Sequence, residues 1–245
     1  KKFGWGVVWV EALVNPEPGE GVRHTIVDYE TASRNGEPFE SVVSKYGIFN
    51  QTNPACTARM KTDPMQSYLR SKGFVFGKKS RHWTAVGIRA DEMDRVSQHR
   101  EKYKFIYPLV DLGVTKRGVA LEIKKWGFDL TIPHDAWGNC TWCWKKSLRK
   151  LMTLAREDPT VFNFPKRMEQ KYETFKSDSA ASSPEGLMRW FRKYLSVDDI
   201  IEKSKEEFIL YRDDPWDHGT QKSLFDEELD VGGGCGDGCE IGADE

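Results

Sequence analysis

Trp83-Thr84-Ala85-Val86-Gly87-Ile88 is a short apolar run, and the charged Arg89-Ala90-Asp91-Glu92 follows it at once. A run of this length and composition, bounded by charge, reads as a β-strand. Phe105-Ile106-Tyr107-Pro108-Leu109 is another extended run, and Thr115 opens a helix with Val119, Leu121, Ile123 and Trp126 among its apolar positions. Short strands alternating with helices predict an α/β fold with a largely parallel sheet.

Upstream, residues 7–13 read as a buried strand: mostly apolar, β-branched and short. The Pro- and Gly-rich stretch 15–21 is a loop, and 25–29 is a second extended piece. Phe39, Val42, Val43 and Tyr46 share one face of a helix over 38–46, which Gly47 stops. A further helix is expected over 57–71, with Pro64 marking a kink or a fresh start. From Trp144 the character changes. Leu148, Leu151, Met152 and Ala155 are spaced for one helical face, and further helices are expected over 161–175, 186–194 and 197–210. Residues 177–184 form a polar linker, and the acidic, glycine-rich composition beyond Phe225 predicts disorder. The expected division is an α/β domain over 1–143, a helical region over 144–224 and a tail over 225–245.

The chain has 245 residues, a net charge of −1 and a charged fraction of 31%, as soluble globular proteins do. No run approaches the ~20 apolar residues of a membrane helix, and the first ten residues lack a signal-peptide cleavage pattern. Five cysteines and no secretion signal argue against a disulfide framework, so a reducing cytoplasm is expected. The chain opens at Lys1 almost directly into a strand, so part of the protein is expected to lie upstream.

Three cysteines carry most of the chemistry. Cys140 and Cys143 form a Cys-x-x-Cys pair, whose thiolates one metal or one iron–sulfur cluster can span. Cys56, with Arg59 and Lys61 close behind it, is a candidate third ligand; three thiolates would leave one iron open. Cys56 also reads as a small buried hydrophobe, and the pair also reads as a redox dithiol. Arg59 and Lys61 are candidates for lowering a thiolate pKa or holding a sulfate or phosphate, or are plain surface charges. Gly87 at a strand end lets a ligand approach the backbone. Arg89 is placed to grip an anion or to pair with Asp91 or Glu92. Those two acids are candidates for a ribose hydroxyl, for Mg²⁺ or for capping the next helix. Lys145, Lys146, Arg149, Lys150 and Arg156, interleaved with Trp142 and Trp144, would suit nucleic-acid phosphates and bases, or form the solvated face of an amphipathic helix. His134 is a candidate fourth ligand or an exposed loop histidine. Cys235 and Cys239, in an acidic tail, are candidates for a metal ligand, for a redox or sulfur-carrying pair, or for an inert end.

Pro54-Ala55-Cys56-Thr57-Ala58-Arg59-Met60-Lys61, Gly87-Ile88-Arg89-Ala90-Asp91-Glu92 and Gly138-Asn139-Cys140-Thr141-Trp142-Cys143-Trp144-Lys145-Lys146-Ser147 stand in an order that resembles phosphoadenosine-phosphosulfate (PAPS) reductase-like proteins. The likeness is to the phage and bacterial branch of this PP-loop, or adenine nucleotide α-hydrolase, superfamily, and runs from about residue 7 to 167. It implies a doubly wound, mostly parallel sheet that binds an adenine nucleotide or sulfonucleotide (ATP or PAPS) at its strand ends. It further implies an iron–sulfur cluster, of the [4Fe–4S] kind, on Cys56, Cys140 and Cys143, and sulfur transfer or sulfonucleotide reduction. tRNA or DNA as substrate and a thioredoxin-like reductant would be its partners. The family's Ser-Gly-Gly-x-x-Ser phosphate loop has no counterpart here and would lie before Lys1. The adjacent-cysteine pattern of adenylyl-sulfate reductases is broken by Ala55. The alternative from the residues is a non-catalytic module in which the cysteines hold Zn²⁺ and the basic helix docks nucleic acid or protein.

Overall fold

A computed structural model of the chain describes residues 4–17, 19–127, 131–138, 140–175, 183, 185–192 and 194–212. Cys235, Cys239 and the whole acidic tail lie outside the described residues, as does most of the expected linker.

The described chain is mixed helix and strand, with two small sheets. Strands β1 (Trp9–Val14) and β2 (Val22–Val27) pair antiparallel, Trp9 opposite Val27 and Val14 opposite Val22. Ala12 and Val22 turn into the core, whereas Trp9 and Leu13 stay about half exposed. The expected buried strand is therefore a one-faced hairpin: helices cover a single side, and period-2 alternation leaves the other side open. The Lys45 amine fixes its loop by donating to the carbonyls of Asn15 (2.5 Å), Glu17 (2.8 Å) and Glu20 (2.6 Å).

Helix α1 (Glu37–Tyr46) packs on the hairpin with Val42 and Val43 fully buried, and Gly47 ends it. Its N-cap, Gly36, has φ +86°, and a Cβ there would meet the Phe164 ring at 2.4 Å. Glycine is thus required twice, for the left-handed backbone and for the close approach of the Phe164 ring. The helix expected over 57–71 runs unbroken, from a π-helical segment, Ala58–Thr62, straight into α2 (Asp63–Ser71), with Pro64 in its first turn. Proline has no N–H to offer the Met60 carbonyl, so the backbone widens: Asp63 N–H reaches back five residues to Ala58.

Strands β3 (Thr84–Ala85) and β4 (Phe105–Ile106) pair in parallel, linked by a 3₁₀ segment (Ala90–Arg95) and α3 (Arg100–Tyr103). Ile88, Phe105 and Tyr107 form a small second core beneath α4 (Pro108–Asp111). Thr115 caps α5 (Lys116–Lys125), its hydroxyl accepting from Gly118 N–H.

Helices α6 (Leu148–Glu157), α7 (Asn163–Tyr172) and α8 (Val197–Lys203) follow. Leu151, Leu154, Phe162 and Met168 share one core with Val42, Val43, Ile48 and Phe49, so the helical region packs directly on α1 and the hairpin. The helix expected over 186–194 does not form. Met188, Trp190 and Phe191 are buried there in a non-helical strap. Its backbone donors go to α7 and the turn after it: Met188 N to Glu173 O (2.7 Å) and Trp190 N to the Glu169 carboxylate (2.7 Å). Tertiary partners outweigh helix propensity. Helix α8 also stops earlier than expected, and the chain then crosses α6, where Tyr211 N donates to buried Thr153 Oγ1 at 2.9 Å.

Candidate functional site

The segment leading to Cys56 is built on two asparagines. Buried Asn50 accepts through Oδ1 from Thr52 N (2.9 Å) and Asn53 N (3.2 Å) and donates to the Arg189 carbonyl (2.5 Å). Asn53 Nδ2 donates to the carbonyls of Tyr46 (2.9 Å) and Ile48 (3.1 Å). These bonds fix the loop through which the chain enters the helical turn holding half-buried Cys56. Arg59 lies in the π-helical segment, paired with Asp63 at 2.9 Å and stacked over the Tyr46 ring at 4.7 Å. Lys61 is exposed. The π-helical widening is a feature that sequence reading did not identify; such bulges gather at functional sites.

The Cys140–Cys143 turn is held by its carbonyls. Cys143 N donates to Cys140 O at 3.0 Å, closing the turn. The Lys146 amine donates to Gly138 O (3.0 Å) and Cys140 O (2.6 Å). Trp190 Nε1 donates to Trp142 O at 3.0 Å, and the Arg192 guanidinium donates to Trp144 O (2.6 Å) and to Lys146 O. Glu169 in turn pins the strap that carries Trp190, accepting from Trp190 N (2.7 Å) and Val197 N (2.8 Å). Burial pushes the Glu169 carboxyl up to about 7, against the pull of those two N–H groups. Trp190, Arg192 and Glu169 have no sequence motif; the strap's non-helical course brings the first two to the turn, and α7 presents Glu169 to the strap.

Cys140 is exposed and Cys143 half-buried. Cys56, Trp142 and Trp144, distant in sequence, pack against the same core. Among the described residues, no three His, Cys, Asp or Glu side chains stand close enough together to hold one metal ion. His134 is buried rather than exposed, its Nε2 2.9 Å from Glu157 Oε2, which also accepts from Trp137 Nε1 at 2.8 Å. Burial raises the Glu157 carboxyl, but hydrogen bonds from Trp137, His134 and Arg212 outweigh it and leave it below the ordinary carboxylate value.

The basic stretch after the turn is only in part a solvated face: Arg149 and Arg156 are exposed, Lys145 is half-buried. Lys146 and Lys150 are each only 8% exposed. The Lys150 amine lies 4.7 Å from the Tyr211 ring centroid, Arg149 lies over the same ring, and Lys145 lies over Trp144. Lys146 and Lys150 therefore do not present charge to a phosphate backbone.

At the end of β3, Arg89 pairs with Asp91 (3.1 Å) and Glu92 (3.2 Å), and Arg95 also binds Glu92, at 2.5 Å. Asp91 Oδ1 accepts from Lys116 N at the start of α5 (3.0 Å). Burial raises Asp91, but the bonds from Arg89 and the backbone prevail and hold it below its ordinary value. Gly87 is exposed, with open space where a Cβ would stand. Of the roles open to these residues, the structure uses ion pairing for Arg89, and both pairing and capping for Asp91 and Glu92, whose Oε2 accepts from Arg89 N at 3.3 Å.

Comparison with protein families, with curated proteins and with solved structures returned no match. Among the described residues, no helix is long and apolar enough to cross a membrane.

Proposed function

We propose that this chain performs PAPS reductase-like, nucleotide-dependent sulfur chemistry, with Cys56, Cys140 and Cys143 as the ligands of an iron–sulfur cluster. The observation that carries the reading is the convergence of Cys56 with Trp142 and Trp144, the neighbours of Cys143, on one core. A second observation fits the same group. Trp144 Nε1 is buried without a partner among the described residues, and a thiolate or cluster sulfur would satisfy it. The fit is incomplete in one respect: the three thiols do not stand at ligand distance from one common point, so the reading requires them to draw together when iron binds. When bound, a cluster with three cysteine ligands would supply an iron with an open position for sulfur.

The chain's own residues would orient that site. Lys146, Trp190 and Arg192 hold the turn by its carbonyls. The parallel β3–β4 pair, two residues on each strand and linked through a 3₁₀ segment and α3, is compatible with one step of a doubly wound parallel sheet. Gly87 and Arg89 follow β3, where an adenine nucleotide or sulfonucleotide would bind in such a sheet.

The test is anaerobic purification with iron, zinc and sulfide analysis, for the wild type and for Cys140→Ser. About four iron and four sulfide per chain, lost in the variant, is the expected result. One zinc without sulfide, or a visible spectrum unchanged by the substitution, would overturn the reading.

A further inference from the structure

From Pro64 to Ala90 the chain contains no aspartate or glutamate, and it contains six cations: Arg70, Lys72, Lys78, Lys79, Arg81 and Arg89. Arg89 is neutralised by Asp91 and Glu92. Lys72, Lys78, Lys79 and Arg81 are exposed, and among the described residues they form no ion pair. Arg70 donates to the neutral Gln66 amide at 2.8 Å.

The loop that carries these cations is organised. After α2 the chain reverses at Gly73, whose φ is +86°, and Phe74 N donates to Leu69 O at 3.1 Å. A 3₁₀ turn follows at Gly77–Lys79. Ser80 Oγ then donates to His82 O at 2.9 Å. The His82 ring stands edge-on to both Phe74 (5.0 Å) and Phe76 (5.2 Å), stapling the two arms of the loop together. Arg70 lies over Phe76 at 5.7 Å. This staple confines Lys78, Lys79 and Arg81 to one short surface beside two large exposed rings, Phe74 (42% exposed) and Trp83 (51%). Helix α3 packs against the 3₁₀ turn and contributes both signs: Glu101 beside Arg100 and Lys102.

We infer that the 70–83 loop is a docking surface for single-stranded nucleic acid. Clustered cations with no acid in their own segment suit a phosphate chain, and exposed aromatic rings among them suit unpaired bases. A membrane surface fits less well, because the rings are interleaved with cations in a loop instead of forming the apolar face of an amphipathic helix. The surface is separate from the buried Lys146 and Lys150, and the inference does not depend on the cysteines.

The experiment is fluorescence anisotropy of labelled oligo-dT and oligo-U of about 15 nucleotides, titrated with the metal-free full chain from about 50 to about 200 mM salt. Five phosphate contacts predict a slope of log K on log salt near −3.5, at about −0.7 per contact. Lys78→Glu/Lys79→Glu should weaken binding strongly and flatten the slope by about 1.4. Trp83→Ala should weaken it about tenfold at every salt concentration through lost stacking. All these residues are exposed, and a thermal melt by circular dichroism confirms that each variant folds. Absence of binding at low salt, or affinity indifferent to both variants, would overturn the inference. So would tighter binding to phosphatidylserine vesicles than to either oligonucleotide. Iron content has no bearing on any of these outcomes, so this inference and the sulfur-chemistry reading fail or stand separately.

Discussion

Trp190 Nε1 donates to the main-chain carbonyl of Trp142 at 3.0 Å, joining the strap to the turn between Cys140 and Cys143. Trp190→Phe removes that donor while keeping an aromatic ring among Phe39, Phe164 and Phe191. The expected cost is about 1–3 kcal/mol in urea unfolding, from the lost bond and the smaller ring. Loosening of the turn should also raise the alkylation rate of half-buried Cys143 relative to that of Cys56 by about tenfold, as ~1.4 kcal/mol of local opening would give. A Cys143 rate rising only in step with Cys56 would mean global loosening and no special tie to the turn.

Glu169 makes stability depend on pH in an unusual direction. Its folded carboxyl titrates near 7 because burial disfavours the charge; Arg189 and Glu173 nearby pull in opposite directions, and the ordinary value is 4.5. Between those values the native state holds a proton that the unfolded chain has released. Stability therefore falls as pH rises from about 4.5 to 7, by roughly 3 kcal/mol from this group, and is flat above. Glu169→Gln should remove that component of the slope in denaturant titrations across the window. A slope as steep as the wild type's would refute the assignment.

Gly36→Ala places a side chain in a left-handed conformation and into the Phe164 ring at 2.4 Å. Strain and overpacking together predict a loss of about 2–4 kcal/mol. The check is the urea midpoint, with Gly73→Ala as reference. That position has positive φ but open space around it, so it should lose only the conformational part, about 1 kcal/mol.

Glu92 is buried between two arginines, with Arg95 at 2.5 Å and Arg89 at 3.2 Å. Glu92→Ala leaves half-buried Arg95 without its ion-pair partner, whereas Arg89 keeps Asp91, and should cost about 1–3 kcal/mol. Restoration of the wild-type melting temperature by neutral Glu92→Gln would show that charge is not what matters there.

Elements that bury a regular stripe were legible in the sequence. Phe39, Val42, Val43 and Tyr46 mark α1, and Leu148, Leu151 and Ala155 mark α6. The mixed α/β character was legible too, although β3 and β4 pair over only two residues each, a length that apolar composition does not set. The strap was not legible. Met188, Trp190 and Phe191 fit a helical spacing, and what prevents the helix is a set of acceptors on α7 and the turn after it that are remote in sequence. The fate of Lys146 and Lys150 was hidden for the same reason. Their amines are drawn inward by carbonyls of the cysteine turn and by the Tyr211 ring, and a linear charge pattern cannot show this.

The core joins Val42 and Val43 of α1 to Leu151 and Met168 of the later helices, and Cys56 and Trp142 pack against it. Occupancy at the cysteines would consequently act as a thermodynamic lever on the whole unit. A ligand bound only by the folded form stabilises it by RT ln(1 + [L]/Kd). With one shared core, that increment would be distributed to the hairpin as well as to α6 and α7. Amide exchange in β1 and β2, whose backbone groups would never touch the ligand, would then slow as the cysteine site fills.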